Sequence, residues 1–150
     1  FDSDGIPDAL PVQIVSTGLK DIILPVTDPE ILGRMRLIFA ITRLSREKEC
    51  IGIHAFSLAK EMGLTAICRN FAPLYGIDEE SATGTSNCAL ACYLYRYVSK
   101  QDQYIFEQGH NLNSISRIYV NLDTEDNTIT GVWVGGYGYL SCLSQICCQP

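Results

Sequence analysis

Residues 78–85 combine residue types that could do chemistry. Three carboxylates, at 78–80, precede the small polar stretch Ala82-Thr83-Gly84-Thr85. A helix that begins at Thr83 would present N–H groups without intrahelical partners, together with a partial positive charge, and Gly84 would allow another molecule to approach closely. The spacing predicts a site for a carboxylate or a phosphate. The alternative is that Thr83 only caps the helix and nothing is bound.

The helix that follows has no polar side. Residues 88–95 (CALACYLY) are apolar at every angle, whereas a surface helix would alternate between an apolar stripe and a polar face. Its first two turns are rich in small residues, which would let a sheet close in around the helix axis. This pattern predicts a curved sheet or half-barrel wrapped around one central helix.

The rest of the sequence predicts strands before and after this helix, and two short helices before it. Strands are predicted at 12–16 and 21–26, with Thr17-Gly18 as the turn between them. Thr27 or Asp28 would cap a helical segment that starts at Pro29 and is split at Gly33. Further predicted elements are buried strands within 50–59 and 64–73 of one sheet, and strands at 103–107, 114–122 and 129–134, the last two joined by the polar turn 124–128. We predict an α+β domain that spans residues 1–150, without alternating βαβ units.

Composition narrows the class of protein and its partners. The 150 residues carry a net charge of -6, and the 11 Lys and Arg residues do not cluster, so we expect no nucleic acid partner. With 47% hydrophobic residues but no apolar run of about 18, the chain is predicted to be folded and soluble, with no membrane partner. Seven cysteines and two histidines lack disulfide or zinc spacing, which predicts no metal and a reducing cytoplasm. The pair Cys147-Cys148 is read as free thiols near a last strand, with a redox device as the alternative.

Four stretches resemble one protein family. RNFAPLYGIDEESATGTSNCALACYL, residues 69–94, resembles the signature of PhzF-like (phenazine biosynthesis) proteins, approximately R-x-F-A-P-x-x-G-I-x-E-D-P-A-T-G-S-A-x-G-A-L-A-x-Y-L. VSTGLKDIILPV (15–26), EQGHNLNSISRIYVNL (107–122) and ITGVWVGG (129–136) resemble further family motifs in order and spacing. The resemblance covers essentially the whole chain, but only the second of the family's two pseudo-symmetric halves.

This resemblance implies a fold and an activity. Each half of the family is a mixed, barrel-like sheet around a central helix, of the diaminopimelate-epimerase type, and the substrate lies between the halves. The best-studied members are thought to isomerise a dihydro-hydroxyanthranilate by proton transfer, with no metal or cofactor, and their main base is a Glu of the first half. The resemblance thus implies an isomerase acting on a small carboxylated metabolite. The cleft would need a missing N-terminal half or a second copy in a homodimer, and the isolated chain would be inactive.

The resemblance also assigns the site residues. Glu80 stands at the position of the family's Asp and is the implied catalytic carboxylate, facing a substrate amino or hydroxyl group. Gly84 and Thr85 would hold the substrate carboxylate, and Thr83 would be both a cap and a contact. For Asp78 and Glu79 we favour a solvated turn without a site role. The chain departs from the family where E-D-P becomes Glu79-Glu80-Ser81.

Two other functions remain as alternatives. The chain could be a metabolite-binding or partner-completing half-domain without catalysis. A Cys-dependent epimerase or racemase is disfavoured, because Thr83 stands where that class has its thiol and Cys88 is expected to be packed rather than reactive. His54 is predicted to be a satisfied core or sheet-face histidine and His110 a solvent-facing loop residue.

Overall fold

The computed structural model describes residues 5–36, 39–138 and 140 of the chain. Within these ranges it contains eight strands and three helices. The strands are β1 (Gln13–Ser16), β2 (Lys20–Pro25), β3 (Gly52–Leu58), β4 (Ala66–Ala72), β5 (Ile77–Glu80), β6 (Gln103–Gln108), β7 (Ser116–Glu125) and β8 (Thr128–Gly136). The helices are α1 (Pro29–Arg34), α2 (Phe39–Lys48) and α3 (Gly84–Tyr97), with short 3-10 turns at Pro73–Tyr75 and His110–Leu112.

The strands form one mixed sheet in the order β1-β2-β3-β4-β6-β7-β8. The second edge of β4 is shared, because its first residues pair with β6 and its last residues pair with β5. The pairs β2–β3 and β4–β6 are parallel and each is connected through helices, while the other described pairings are antiparallel. The predicted mixed sheet is therefore confirmed. The two helical connections between parallel strands were not part of the predicted order of elements.

The sheet curls around α3. This helix contacts β1, β2 and β3 as well as β7 and β8, so strands near both edges of the sheet reach the same helix. Ala89, Leu90, Ala91 and Leu94 are at most 1% exposed. A helix without a polar face is stable in water only when other elements cover all of it, which explains this burial. The predicted half-barrel around a central helix is confirmed.

The outer face of the sheet has its own core. On β2, Ile23 packs towards α3, while the neighbouring Ile22 belongs to a second apolar cluster with Leu32 of α1 and Ile41 of α2. The same alternation on β3 places Phe56 inside and Ile53 outside. The two short helices therefore cover the convex face, and the break between them follows one or two residues after Gly33, as predicted.

The acidic residues 78–80 do not form the turn that was expected from the sequence, because they belong to strand β5. Asn70 of β4 is the register partner of Glu80, and Ala72 is the partner of Ile77. The strand forms because the sharp turn at Pro73–Gly76, where Gly76 has a positive φ of 75°, sends the chain back along β4. The alternation of β5 places adjacent carboxylates on opposite faces of the sheet, with different partners.

The conformations of two loops explain which residues occur in them. The polar turn between β7 and β8 is centred on Asp126 and Asn127, both with positive φ (48° and 61°), which is the two-residue turn that suits the twist of a hairpin. Gly109 follows β6 with φ 91°, and a Cβ there would lie 2.1 Å from the carbonyl oxygen of Ser114. Only glycine fits that position, which gives the glycine of the EQG stretch a structural reason.

Candidate functional site

The predicted helix start is at the predicted place. Thr83 is the N-cap of α3, with extended backbone (φ -128°, ψ 100°), and Gly84 is the first helical residue. Within the described ranges, the N–H groups of Gly84, Thr85 and Ser86 donate no hydrogen bond. Three backbone donors and the positive end of the helix dipole therefore have no described protein partner at the start of α3, where Gly84 is half-buried, Thr85 is exposed and Ser86 is buried.

Gly84 is not required by the fold. Its φ lies outside the positive region, and a Cβ added to it would lie 3.6 Å from the nearest atom, Cγ1 of Val134, which is an ordinary contact distance. Alanine would therefore fit and would favour a helix. Neither packing nor backbone conformation therefore explains a glycine at this position.

Thr85 presents a second kind of donor at the same point. Its side chain is exposed, and its hydroxyl bonds to no other described residue. Its carbonyl oxygen accepts a hydrogen bond from Oγ1 of Thr17, at 3.3 Å, in the turn between β1 and β2. Three of the family-like stretches therefore meet around the N-terminus of α3. Thr17 of VSTG contacts Thr85 of ATGT, and Val134 of VWVGG lies beside Gly84.

Glu80 lies beside these donors and is held through one of its oxygens. Oε2 accepts a hydrogen bond from Oγ1 of Thr83 at 2.6 Å, and Nδ2 of Asn70 lies 3.5 Å from the same oxygen. Oε1 has no described partner, and it is not one of the buried side-chain atoms without a partner. Glu80 thus has, next to the helix start, one carboxylate oxygen that is not fully buried and has no described partner.

Thr83 differs from its expected role. Its hydroxyl makes no capping bond to the helix backbone and is donated to Glu80 instead. Oγ1 in turn accepts a hydrogen bond from Nε2 of Gln108, at 3.0 Å. The residue is at the cap position, but its first contact in the structure is the carboxylate and not a backbone donor.

A buried polar layer, which the sequence pattern did not predict, supports these residues. It consists of inward-facing side chains of four strands and two residues of α3: Asp21, His54, Asn70, Gln108, Ser86 and Asn87. Ser86 donates to Asp21 at 2.8 Å, and Asn87 donates to Oε1 of Gln108 at 2.9 Å. The alternation of β6, with Tyr104 and Phe106 on the inner face, could have indicated that Gln108 also points inward.

Asp21 adds a second carboxyl group near the site. Burial raises its pKa above the ordinary value, the hydrogen bond from Ser86 lowers it, and the charge of Glu80 raises it further. Oδ1 of Asp21 is buried without a hydrogen-bond partner. Two carboxyl groups of different environment therefore lie within electrostatic reach of each other at the start of α3.

His54 is completely buried in the same layer. Its Nδ1 lies 3.1 Å from Oδ1 of Asn70, and Nε2 has no described partner. Burial lowers its pKa to about 4, although the nearby side-chain amides of Asn70 and Asn87 act in the opposite direction. The expected core position of His54 is confirmed, but only one of its two ring nitrogens has a described hydrogen-bond partner.

This depressed pKa predicts a dependence of stability on pH. Unfolded His54 binds a proton near pH 6.5, and folded His54 does so only near pH 4, so acidification through this window favours the unfolded chain. A shift of this size corresponds to about 3 kcal/mol of unfolding free energy lost between the two pH values. Urea unfolding at pH 7, 5.5 and 4 should show this loss, and His54→Gln should show much less of it. An identical pH dependence in both proteins would contradict the prediction.

Glu79 is not solvated, contrary to the expectation for the acidic run. Its carboxylate accepts two hydrogen bonds from Arg69, from Nε at 2.9 Å and from Nη2 at 2.7 Å, and the two side chains are only 7% and 10% exposed. The expectation that Glu79 has no site role still agrees with its place on the convex face. Asp78 is exposed, as expected.

Cys88 and the second histidine are where the sequence placed them. Cys88 is buried in the α3 core, and burial raises the pKa of its thiol. The described cysteines, Cys50, Cys68, Cys88 and Cys92, are free, while Cys147 and Cys148 lie outside the described residues. His110 is exposed in its loop and lies 3.1 Å from Glu107. No cluster of three or more His, Cys, Asp or Glu that could hold a metal occurs in the described part of the chain.

The curled mixed sheet around α3 defines a diaminopimelate-epimerase-like fold. The model of the phenazine biosynthesis-like protein family (PhzC-PhzF) matches residues 2–142. The chain belongs to this family. In the ranges that the structure describes, no helix has both the length and the hydropathy to cross a membrane.

Three relatives show the extent of the match. The chain is 31% identical over 133 residues to a Deinococcus radiodurans protein named an uncharacterized isomerase, covering 85% of this chain and 42% of that protein. A Clostridium acetobutylicum protein of similar name is 28% identical over 129 residues, covering 77% and 41%. The crystal structure of a Bacillus anthracis phenazine biosynthesis protein of the PhzF family superposes with a TM-score of 0.68 at 26% identity, covering 84% of this chain and 45% of that one. The chain thus spans less than half of the length of these relatives.

Proposed function

We propose that this chain forms one wall of the active site of a PhzF-type isomerase, which moves a proton on a small carboxylated metabolite without a cofactor. The observation that carries the proposal is the juxtaposition, at the start of α3, of free backbone donors and the open Oε1 of Glu80. The donors suit the substrate carboxylate, and Glu80 suits a polar hydrogen of the same molecule. Gly84 and Thr85 are the carboxylate-binding residues.

In this proposal, the wall of the active site that faces the start of α3 comes from outside residues 1–150. The chain corresponds to less than half of the length of its relatives. The family resemblance implies that the main base belongs to the other half. A first half in the same protein or a second copy of this chain would face the helix start and exclude water from the substrate. The name isomerase given to the relatives supports the reaction class. Free thiols at the described cysteines support a reducing, cytoplasmic location.

Solvent isotope exchange tests the proposal. We expect the complete natural protein that contains residues 1–150 to incorporate solvent deuterium into a dihydro-hydroxyanthranilate, as followed by mass spectrometry in D₂O. The isolated 150-residue chain, kept monomeric at low concentration, should incorporate none above the uncatalysed rate. Exchange by the monomeric chain would contradict the need for a second wall, and absence of exchange by the complete protein would contradict the isomerase.

The second candidate is a binding half-domain without catalysis. It is favoured by the fact that the anion donors at Gly84 and Thr85 are complete within this chain, whereas the catalytic cleft is not. Calorimetric titration with anthranilate, and with the neutral anthranilamide as control, separates the two functions. Binding of the carboxylate together with absence of exchange in the complete protein would favour the binding module.

A further inference from the structure

We propose that Gln108 and Thr83 are positioning residues, which fix Glu80 so that Oε1 is the oxygen that faces the substrate. The inference rests on the proposed function for its kinetic consequences. The proposed role of Thr83 differs from its expected role as a substrate contact, and the role of Gln108 was not expected from the sequence. The hydrogen-bond directions around these side chains support it.

The orientation of the Gln108 amide is determined by its neighbours. Its Oε1 accepts from Nδ2 of Asn87 at 2.9 Å, and its Nε2 donates to the carbonyl oxygen of Glu80 at 2.6 Å and to Oγ1 of Thr83 at 3.0 Å. Nδ2 of Asn87 also donates to the carbonyl oxygen of Thr83, at 2.8 Å. A flipped Gln108 amide would place its oxygen against a carbonyl oxygen and its NH₂ group against another NH₂ group. The network therefore allows only one orientation.

This orientation determines where the Thr83 proton points. Because Oγ1 of Thr83 accepts the hydrogen bond from Gln108, its own hydroxyl proton is free to be donated, and the acceptor at 2.6 Å is Oε2 of Glu80. That distance is in the range of hydrogen bonds from hydroxyls to carboxylates. Thr83 is thereby committed to Glu80, and its hydroxyl is not available to the substrate carboxylate.

The two carboxylate oxygens of Glu80 have different surroundings. Oε2 is engaged by Thr83 and lies near Asn70, so the carboxylate plane is held from one side. Oε1 has no described partner and lies outside the buried set. Oε1 therefore accepts either a hydrogen bond or a proton from the substrate amino or hydroxyl group. The hydrogen bond from Thr83 to Oε2 persists in both cases.

Substitution at Thr83 separates positioning from substrate binding. In the complete protein, Thr83→Val should lower kcat for deuterium exchange about 10- to 100-fold, because the carboxylate is no longer held in place. KM for the dihydro-hydroxyanthranilate should stay within about 3-fold, and Thr83→Ser, which keeps the hydroxyl, should restore kcat. A raised KM with unchanged kcat would instead show that Thr83 contacts the substrate, and would overturn the inference.

Gln108 is tested by a double-mutant cycle. Gln108→Leu should lower kcat by a similar factor, and the double variant with Thr83→Val should be no slower than the slower single variant, because the two residues act in series. Additive losses would overturn the coupling. If Gln108→Leu does not fold, as judged by circular dichroism, the Thr83 variants and the following measurement decide.

An NMR measurement on the 150-residue chain tests the geometry without activity. The side-chain NH₂ of Gln108 donates two hydrogen bonds in a buried site, so its protons should exchange with solvent far more slowly than those of the exposed Gln101. Thr83→Val should accelerate this exchange. Equal exchange rates for Gln108 and Gln101 would overturn the hydrogen-bond arrangement. Absence of deuterium exchange by the wild-type complete protein would contradict the proposed function but not this geometry.

Discussion

Glu80→Gln in the complete protein should lower kcat for solvent-deuterium exchange by about 10²-fold or more. The amide has nearly the same shape, so the pocket and the contact with Thr83 are expected to remain, but it can no longer accept a proton. General acid–base groups typically contribute about 10²- to 10⁴-fold. Because the carboxylate donors at Gly84 and Thr85 are untouched, KM should change by less than about 5-fold. Mass spectrometry of the recovered dihydro-hydroxyanthranilate measures the exchange.

The neighbouring acid provides a matched control. Asp78 belongs to the same acidic strand, but it is exposed and makes no described side-chain hydrogen bond. Asp78→Asn should leave kcat and KM within about 2-fold of wild type, because a solvated carboxylate outside the site contributes only weakly through screened charge. Wild-type exchange in Glu80→Gln would remove Glu80 from the mechanism. Equal losses in both variants would show that the total charge matters, and not the carboxylate at 80.

Arg69→Met should destabilise the chain by about 3–5 kcal/mol. Arg69 is buried, pairs with Glu79 through two hydrogen bonds, and donates Nη1 to the carbonyl oxygens of Leu32 and Met35, both at 2.9 Å. The substitution keeps the volume but leaves a buried carboxylate and the end of α1 without their donors. Breaking a buried ion pair from one side typically costs this much. Urea unfolding followed by circular dichroism measures the difference.

Two further variants test the cause. Arg69→Met combined with Glu79→Leu removes both charges and should recover part of the loss, because no buried charge is left unpaired. Arg34→Met breaks an exposed pair with Glu30, 3.4 Å apart, and should cost less than about 0.5 kcal/mol. A loss below about 1 kcal/mol for Arg69→Met would show that water reaches the pair. A double variant as unstable as Arg69→Met would assign the loss to the α1 carbonyls alone.

The central helix shows what sequence patterns predict well. The residues 88–95 have no polar face, and such a helix has few ways to be stable in water, so the surrounding sheet followed from the residues alone. The family motifs then indicated the fold and four candidate site positions, and the structure places Glu80, Thr83, Gly84 and Thr85 close together. Strand ends were predicted to within a few residues, because turns such as Asp126-Asn127 have strong local preferences.

The acidic run shows where the sequence alone was insufficient. Asp78, Glu79 and Glu80 look alike as sequence, and a short polar stretch before a helix is usually a turn. The stretch is a strand because β4 leaves part of one edge free after β6 has paired with its first residues. Pairing with that edge sends Glu79 to the convex face, where Arg69 neutralises it, and Glu80 to the inner face.

The sequence by itself determined the buried helix, its open N-terminus and the family, because hydrophobic pattern, glycine and motif spacing are local properties of the chain. Only the tertiary structure decided which carboxylate faces the helix start and which way the Thr83 hydroxyl points. Both depend on residues distant in sequence, Asn70 on β4 and Gln108 on β6, whose side chains meet Glu80 and Thr83 only when the sheet curls around α3. Hydrogen-bond direction is a property of that assembled network and is not encoded at any single position.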